Sequence, residues 1–581
     1  MRCVGLLFVG IVAWGMGVLF AQSTPASPDS EFGVRSGIAL EELTPIQIEN
    51  LVTLGRVWGF LKYHHPRVTA GERSWDYDLF RIMPLILAAP NRDEANIAMS
   101  HWIDGLGPVP DCVSCVHLEQ RDIALVPDLG WIYNQTALGE LLSGRLQRIY
   151  ADRVADQQFY VSLVKHVGNP SFLHEDSYAA IQHPDSGYQL LALYRFWNIM
   201  QYWSPYRSVA KQEWVEVLAE FIPKVALAKD KDAYQLAMMG LIAKANDTHA
   251  NLWSSIRLRP PAGDCVVPID VRFVDQQAVV AGNKELLMFK VGDVIEAVDG
   301  VPLTRLLTDW RPLYADSNEA ARARDTGRSL SRGKCGTAKL QILRDGEEIE
   351  IASDRLPQAK KPAILTHDLA GDTFRLLSKD VAYLKLSSVK AADVPHYIDE
   401  AKGTKGLVVD IRNYPSEFVV FALGSLLVTK HTPFATFTLP DLSNPGAFHF
   451  GYTVALDPKS PHYDGQVIIL VDESTQSQAE YTTMALQATP NAIVVGSQTA
   501  GADGNVSPIP LPGGLSSMIS GIGVYYPDKA PTQRVGVRID VKAKPSLNGI
   551  RTGRDEVLEV GIRQILGDGA SAEMIEKMAR P

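Results

Sequence analysis

Positive charge is scarce in this chain. Its 581 residues hold 56 lysines and arginines against 66 aspartates and glutamates, a formal net charge of -10. Nothing in that balance favours a nucleic-acid partner. Long apolar runs are scarcer still. The one present, Val4 to Phe20, follows Met1-Arg2-Cys3 and reads as a secretory signal peptide spanning 1–21, with cleavage expected after Ala21. An uncleaved anchor fits the same run; no other window approaches a membrane span, so no stable insertion is expected after cleavage. Cysteine is also sparse, with five in all. Cys3 leaves with the signal. The remaining four are expected as two disulfides, Cys112–Cys115 and Cys265–Cys335, in an oxidising compartment, periplasmic or extracellular. A CxxC pair also suits redox chemistry or half a zinc site. A second pair of zinc ligands is not evident, and no βαβ pattern surrounds the motif, which favours the structural disulfide.

What is abundant is core. Apolar residues make up 46% of the chain, and the length suits about three or four domains. After the signal, 22–43 reads as a linker rich in Ser, Pro and small residues. Helical pattern begins near Thr44, and with it an internal repeat. Adding 139 to Arg56, Trp58, Tyr63, Pro66, Trp75, Leu79 and Pro84 gives Arg195, Trp197, Tyr202, Pro205, Trp214, Leu218 and Pro223, seven identities at one offset. The chain therefore divides into a first helical copy with a connecting segment (44–182) and a second copy (183–255). The tryptophans read as core packing. The second copy ends in Asn246-Asp-Thr-His-Ala-Asn-Leu252, and His249 aligns with Pro110 of the first, which has no such histidine.

Residues 256–360 read as a small β-rich module. Thr337 to Leu343 and Glu348 to Ala352 are expected strands joined by an Arg-Asp-Gly turn. From 361 to 581 the pattern is α/β. Val381 to Leu386, Gly406 to Ile411, Val467 to Val471 and Ala492 to Gly496 read as strands, and Phe418 to Val428 and Gln478 to Ala488 as helices. Apolar runs alternating with helices imply a mostly parallel sheet covered on both faces.

The stretch Val467 to Glu480 concentrates the chemistry. A buried strand ends in Asp472-Glu473-Ser474-Thr475, and a helix follows. A serine at such a turn lies among unpaired N–H groups at the positive end of a helix, a setting for a nucleophile whose product is an oxyanion. Ser477 is the candidate and Ser474 reads as a cap; two ordinary helix-capping serines fit the same pattern.

These residues also carry a resemblance. T-x-S-x-A-E (Thr475 to Glu480), Val494 to Gly501, Gly406 to Asn413, Val535 to Asp540 and Gly553 to Leu558 together resemble the tail-specific, or C-terminal-processing, serine peptidases. The segment Phe289 to Gly300, with G-D-V-I-x-x-V-D-G, is similar to PDZ domains, which bind chain ends by strand addition. The resemblance implies a crotonase/Clp-protease-like catalytic core preceded by a PDZ-like module and the helical repeat region. It implies an exported serine peptidase acting on a peptide or protein, such as an unfolded chain or C-terminal tail, with no metal and no organic cofactor. Oligomeric state is not indicated.

Within that family one branch uses a lysine in T-x-G-K after the serine. The corresponding residue here is Ala502, which excludes that base. The tricorn-core branch uses a histidine in D-[ST]-H before the PDZ module. His249 matches it as general base, and Thr248 is expected to orient the ring. The glutamate of that branch is replaced by Gln533 or Arg534, so Glu480, on the Ser477 face of its helix, is the substitute acid. Asp540 reads as structural. The oxyanion hole is expected from the N–H of Gln478 and from the loop after Asn413. Pro415 has no N–H, so Ser416 or Tyr414 must donate there. Two rivals remain open: a non-catalytic peptide- or lipid-binding protein on this scaffold, which in the family is represented by the interphotoreceptor retinoid-binding protein, and an esterase or amidase.

Overall fold

A computed structural model describes residues 29–112, 117–153, 158–209, 212–283, 286–358 and 367–580. The expected signal segment and Cys115, the expected partner of Cys112, lie outside the described residues.

The helical repeat is visible in the elements. Helices α1 (Pro45–His64) and α2 (Trp75–Ala88) recur as α3 (Ser186–Trp203) and α4 (Trp214–Ala226), with α5 (Lys231–Ala243) after them. The repeated tryptophans explain why. Trp58 donates to the Trp75 carbonyl (3.2 Å) and Trp75 to that of Trp58 (3.1 Å). Trp197 and Trp214 make the same exchange at 2.7 and 3.0 Å. Each pair buries two large rings and still satisfies both indole N–H groups. The copies meet where Gly59 faces Asn198; a Cβ at Gly59 would come within 1.8 Å of the Asn198 side chain. Asn198 in turn donates to the Gly55 carbonyl at 3.0 Å. Beneath lies a buried charge cluster. Glu175 forms ion pairs with Lys62 (2.6 Å) and Arg195 (2.8 Å), and Arg195 also reaches Asp76 (2.6 Å).

The β-rich module follows. Strands β1 (Asp270–Val274), β2 (Gln277–Gly282) and β3 (Val294–Val298) precede α6 (Leu303–Trp310) and α7 (Glu319–Leu330). Strands β4 (Gly336–Arg344) and β5 (Glu347–Pro357) complete it. β1 is an edge of this sheet, in the order β1-β2-β3-β4-β5, and α7 packs on it. A disulfide joins Cys265 to Cys335, with Cα atoms 5.0 Å apart.

The C-terminal part is built on a six-stranded sheet. Its members are β6 (Phe374–Leu376), β7 (Val381–Lys385), β8 (Gly406–Asp410), β11 (Gln466–Val471), β12 (Ala492–Gly496) and β15 (Val541–Lys542), in that spatial order. Only β6 pairs antiparallel. The apolar runs Gly406–Asp410 and 467–471 of the interior strands are fully buried, as in a sheet covered on both faces. The helix α8 (Gln478–Gln487) follows β11, and α9 (Glu556–Leu566) packs near the C-terminus. Two antiparallel elements fall outside the parallel pattern: β9 (Thr432–Pro440) with β10 (Phe448–Leu456), and the hairpin β13 (Val506–Leu511) with β14 (Leu515–Ser520). The helix expected over Phe418 to Val428 is confined to Val420–Gly424. Gly424 is a poor helix former, and its Cα packs against Leu456 of β10. The β13–β14 hairpin reaches into the helical region, where Ile509, Leu511, Leu515 and Ile519 join the core of α1 to α5. Among the described residues no helix is long and apolar enough to cross a membrane.

Candidate active site

Strand β11 delivers the chain to a tight loop before α8. Thr475 pins that loop: its hydroxyl donates to the Ile411 carbonyl (3.0 Å) and accepts from the Asp472 N–H (3.1 Å). Ser477 then adopts φ 57° and ψ -122°, a left-handed backbone that costs an L-residue energy and clusters at functional sites. A serine placed only to cap a helix keeps extended backbone angles. Ser477 is half-buried, at the positive end of α8.

Glu480 holds this geometry. Its Oε1 accepts from the Thr499 hydroxyl (2.5 Å) and the Gly501 N–H (2.8 Å). Its Oε2 accepts from the N–H groups of Ala502 (3.0 Å) and Ser477 (3.2 Å). The Ser477 N–H is shared with the Ala502 carbonyl at 2.9 Å. Glu480 is fully buried. Burial raises its pKa, and the four donors pull against that rise. No hydrogen bond joins the Glu480 carboxylate to His249 or to the Ser477 hydroxyl among the described residues; the Glu480 N–H meets the Ser477 side chain in a capping box. Its carboxylate organises the loop, and the acid role assigned to it from sequence has no geometric support.

His249 sits on the loop after α5. Its Nδ1 faces the Ser520 hydroxyl (2.9 Å) and lies 3.6 Å from Asp247 Oδ1. Asp247 accepts in turn from the His249 N–H (3.0 Å), the Ser520 hydroxyl (3.0 Å) and the Ser520 N–H (2.7 Å). Burial opposes the charge on Asp247, but the contacts with His249 and Ser520 hold its carboxyl below the usual range. Ser520 thus bridges one ring nitrogen of His249 to the Asp247 carboxylate, and Nε2 has no hydrogen bond among the described residues. Asp247 was legible within the Asp-Thr-His motif; Ser520, far along the chain, gave no sequence signal.

Thr248 does not touch the ring. Its hydroxyl bonds to Ser317, donating to that hydroxyl (3.0 Å) and accepting from the Ser317 N–H (2.9 Å). It therefore ties the histidine loop to the residues before α7, and its expected orienting role passes to Asp247. Gln533 is buried with Oε1 lacking a hydrogen-bond partner, and makes no bond to His249. Asp540 accepts the Val494 N–H at 2.8 Å, as a structural residue would.

Ser416 is also displaced from its expected role. Its N–H donates to the Leu386 carbonyl at 2.9 Å, so that donor is not available to an oxyanion. Tyr414, the alternative, approaches Ser477 with its side chain. Burial raises the phenol pKa, while the Ser477 side chain and the Gln478 N–H both lower it, placing the hydroxyl against these two groups. As the first residue of α8, Gln478 has an N–H without an intrahelical acceptor. Asp503, next to Ala502, is fully buried with Oδ2 unpartnered. Burial, and then the charge of Glu480, push it well above the usual carboxylate range.

Ser477 and His249 share no hydrogen bond among the described residues. Their loops are linked: Thr248 bonds to Ser317 (3.0 Å), and the adjoining Asn318 donates to the Thr499 carbonyl at 2.8 Å. His367, Asp472 and Glu473 bring ligand atoms within 4.8 Å of one another. Arg272 already bonds both carboxylates, at 2.9 Å to Asp472 and 2.7 Å to Glu473, which leaves a cation there little to neutralise.

Residues 380–543 match the model of peptidase family S41. Among solved structures, mature CPAF is similar at 15% identity, covering 66% of this chain and 99% of that chain, with a TM-score of 0.52. Mature CPAF complexed with lactacystin matches at 14% identity, over 65% of this chain and 98% of that chain, also with a TM-score of 0.52. The photosystem II D1 C-terminal processing protease matches at 16% identity, over 66% of this chain and 98% of that chain, with a TM-score of 0.40. At such identities the likeness to CPAF is one of fold. No curated protein sequence matches the chain. Residues 380–543, which carry five of the six strands of the sheet and the Ser477 loop, thus form a domain that matches the serine peptidases of family S41.

Proposed function

We infer that the protein is an exported endopeptidase or C-terminal-processing peptidase in which Ser477 attacks the substrate carbonyl and His249 is the base. The observation that carries this reading is the left-handed backbone of Ser477 at the head of α8, together with a histidine whose Nδ1 is oriented by Ser520 and Asp247. His249 Nε2 takes the Ser477 proton as the Oγ–carbon bond forms, then gives it to the leaving amine as the carbon–nitrogen bond breaks. Water, deprotonated by the same nitrogen, hydrolyses the acyl-enzyme. Asp247 stabilises the imidazolium. The Gln478 N–H and Tyr414 face the developing oxyanion. Ligand-free enzymes commonly hold such catalytic bonds long until substrate is bound, which accommodates the absent Ser477–His249 bond.

The β-rich module, 256–360, acts in this reading as a PDZ-like unit for an extended chain, and the helical copies cover the site. The Cys265–Cys335 disulfide supports an oxidising compartment. The test is labelling of the folded protein by a fluorophosphonate probe beside Ser477→Ala and His249→Ala. Labelling of the parent that is lost in both variants is expected. An unlabelled parent protein would refute the reading and favour a non-catalytic binding role, for which the Tyr414 hydroxyl against Ser477 is the supporting observation.

A further inference from the structure

Six aromatic rings from the segment after β8, from α8 and from β9 and β10 stand in one continuous row. It begins at Phe418, whose ring centroid lies 6.0 Å from that of Phe421 and 6.4 Å from that of Tyr481. Phe434, buried in the core of the sheet, anchors both neighbours, at 6.2 Å from Phe421 and 5.1 Å from Tyr481. Phe437 carries the row from Tyr481 (5.7 Å) to Tyr452 (5.8 Å). All of these spacings fall in the range of favourable aromatic contact.

The inner side of the row packs on the core and the outer side faces solvent. Phe418 is 52% exposed, Phe421 38% and Tyr452 55%. Single exposed apolar side chains are ordinary, whereas exposed rings joined through their neighbours form a patch of the kind that marks a binding surface. The place of the patch is a second, independent observation. Tyr481 follows Ser477 by four residues on α8, and its N–H donates to the Ser477 carbonyl at 3.0 Å, so one helical turn, about 6 Å of rise, separates the two. Gln478, next to Ser477, donates from Nε2 to the Glu417 carbonyl at 3.1 Å, which holds Phe418 at the same end of the helix. The aromatic surface therefore starts within a turn of the nucleophile and continues onto β9 and β10.

We propose that this aromatic shelf is a substrate-binding surface, which takes an aromatic side chain of the peptide about two to four residues from the scissile bond. The span follows from reach: about one turn to Tyr481, and about 6 Å more to the rings on either side of it, against about 3.3 Å per residue of an extended chain. The occupant is a substrate chain because the shelf begins at the loop past which a chain under cleavage must run. Ring against ring favours Phe, Tyr or Trp over a small side chain. The inference deepens the peptidase reading and rests on Ser477 as its nucleophile.

Binding to the full-length Ser477→Ala protein tests the shelf without turnover. Two acetylated and amidated dodecapeptides are compared by calorimetry: one alternates Ser and Ala, and the other carries a single Phe at its centre. The expected result is about tenfold tighter binding of the Phe peptide, the scale of one well-formed aromatic contact. Phe418→Ala and Tyr452→Ala, both at exposed positions, should each lower that ratio, and the two together should bring it near one. Phe418→Tyr, which keeps the ring, should retain it. Equal binding of both peptides, or a preference unchanged in every alanine variant, overturns the shelf. Mass spectrometry of the Phe peptide after digestion by the parent protein should place the cut about two to four residues from Phe; a cut unrelated to Phe overturns the placement. Sedimentation of the parent beside Phe418→Ala reads the other occupant: a dimer that falls apart in the variant would assign the surface to a second copy of the chain and overturn the proposal. Fluorophosphonate labelling of the parent is read separately. Absent labelling with the Phe preference intact would refute the catalytic reading and leave the shelf standing as a peptide-binding surface.

Discussion

Replacing Glu480 by glutamine separates the two roles open to this residue. The carboxylate accepts four donors at 2.5–3.2 Å from Thr499, Gly501, Ala502 and Ser477, and none comes from His249. In glutamine one oxygen becomes an NH2 group. With the remaining oxygen on Thr499 and Gly501, the Ala502 N–H faces a donor and loses its acceptor, and the new amide points its own hydrogens at other hydrogens. The Ser477 N–H keeps the Ala502 carbonyl at 2.9 Å. Two buried donors are thus orphaned, at about 1–3 kcal/mol each, for a loss of roughly 2–6 kcal/mol. Denaturant unfolding of the parent and Glu480→Gln measures it, and fluorophosphonate labelling should fall in parallel as Ser477 leaves its left-handed conformation. A variant within about 0.5 kcal/mol of the parent that has lost all labelling would refute this account. Glu480 would then act on the chemistry and not on the shape of the loop.

Three further outcomes are expected. Asp503 holds its proton more tightly when folded than when unfolded, so its contribution is fully present below about pH 4 and lost as pH rises toward the folded pKa, at up to about 1.4 kcal/mol per pH unit; Asp503→Asn should lack that decline in unfolding measured against pH, and a parallel decline in both proteins would overturn the assignment. Glu175→Ala leaves Lys62 and Arg195 buried without their shared partner and should cost about 3–5 kcal/mol, read as a lowered denaturant midpoint with little change in slope. Cys335→Ser opens a loop closed across 70 residues and should lose about 4 kcal/mol on the chain-entropy account; the parent under reducing conditions should match it, and no difference between oxidised and reduced parent would refute a stabilising bridge.

The sequence made legible whatever was encoded locally. Val467 to Val471 is an unbroken apolar run and forms a strand buried on both faces. The fixed-offset tryptophans mark two helical copies because each ring's N–H needs the other's carbonyl, a constraint that appears in the sequence as identity. Ser477 stood out because strand, cap and helix succeed one another within a few residues. The misplacements share a different cause. Phe418 to Val428 has apolar content for a helix, but Gly424 and the packing of Leu456 end it early. Strands β9 and β10 carry register shifts, which blur the alternation that reveals a strand. The Thr248 hydroxyl and the Ser416 N–H stand in the right motifs, yet Ser317 and Leu386, remote in sequence, claim their hydrogen bonds. A motif names the residues near a site; partners brought in by the fold decide which of them face the substrate.

The two halves of the site are also held by different means. Ser477 is fixed within the S41 domain, by a carboxylate three residues onward and by the loop that carries Thr499 to Ala502. His249 belongs to the helical region and is fixed from outside it. The open end of hairpin β13–β14 supplies Ser520 to its ring and to Asp247, while four apolar residues of that hairpin anchor in the helical core. A second tie runs through Thr248 to Ser317, and from the adjoining Asn318 to the carbonyls of Thr499 (2.8 Å) and Arg534 (3.1 Å). The separation of His249 from Ser477 is therefore set by how the hairpin and the start of α7 seat the helical region on the sheet. Asn318 caps α7. The residues that begin α7 thus tie the His249 loop to the loop that carries Thr499.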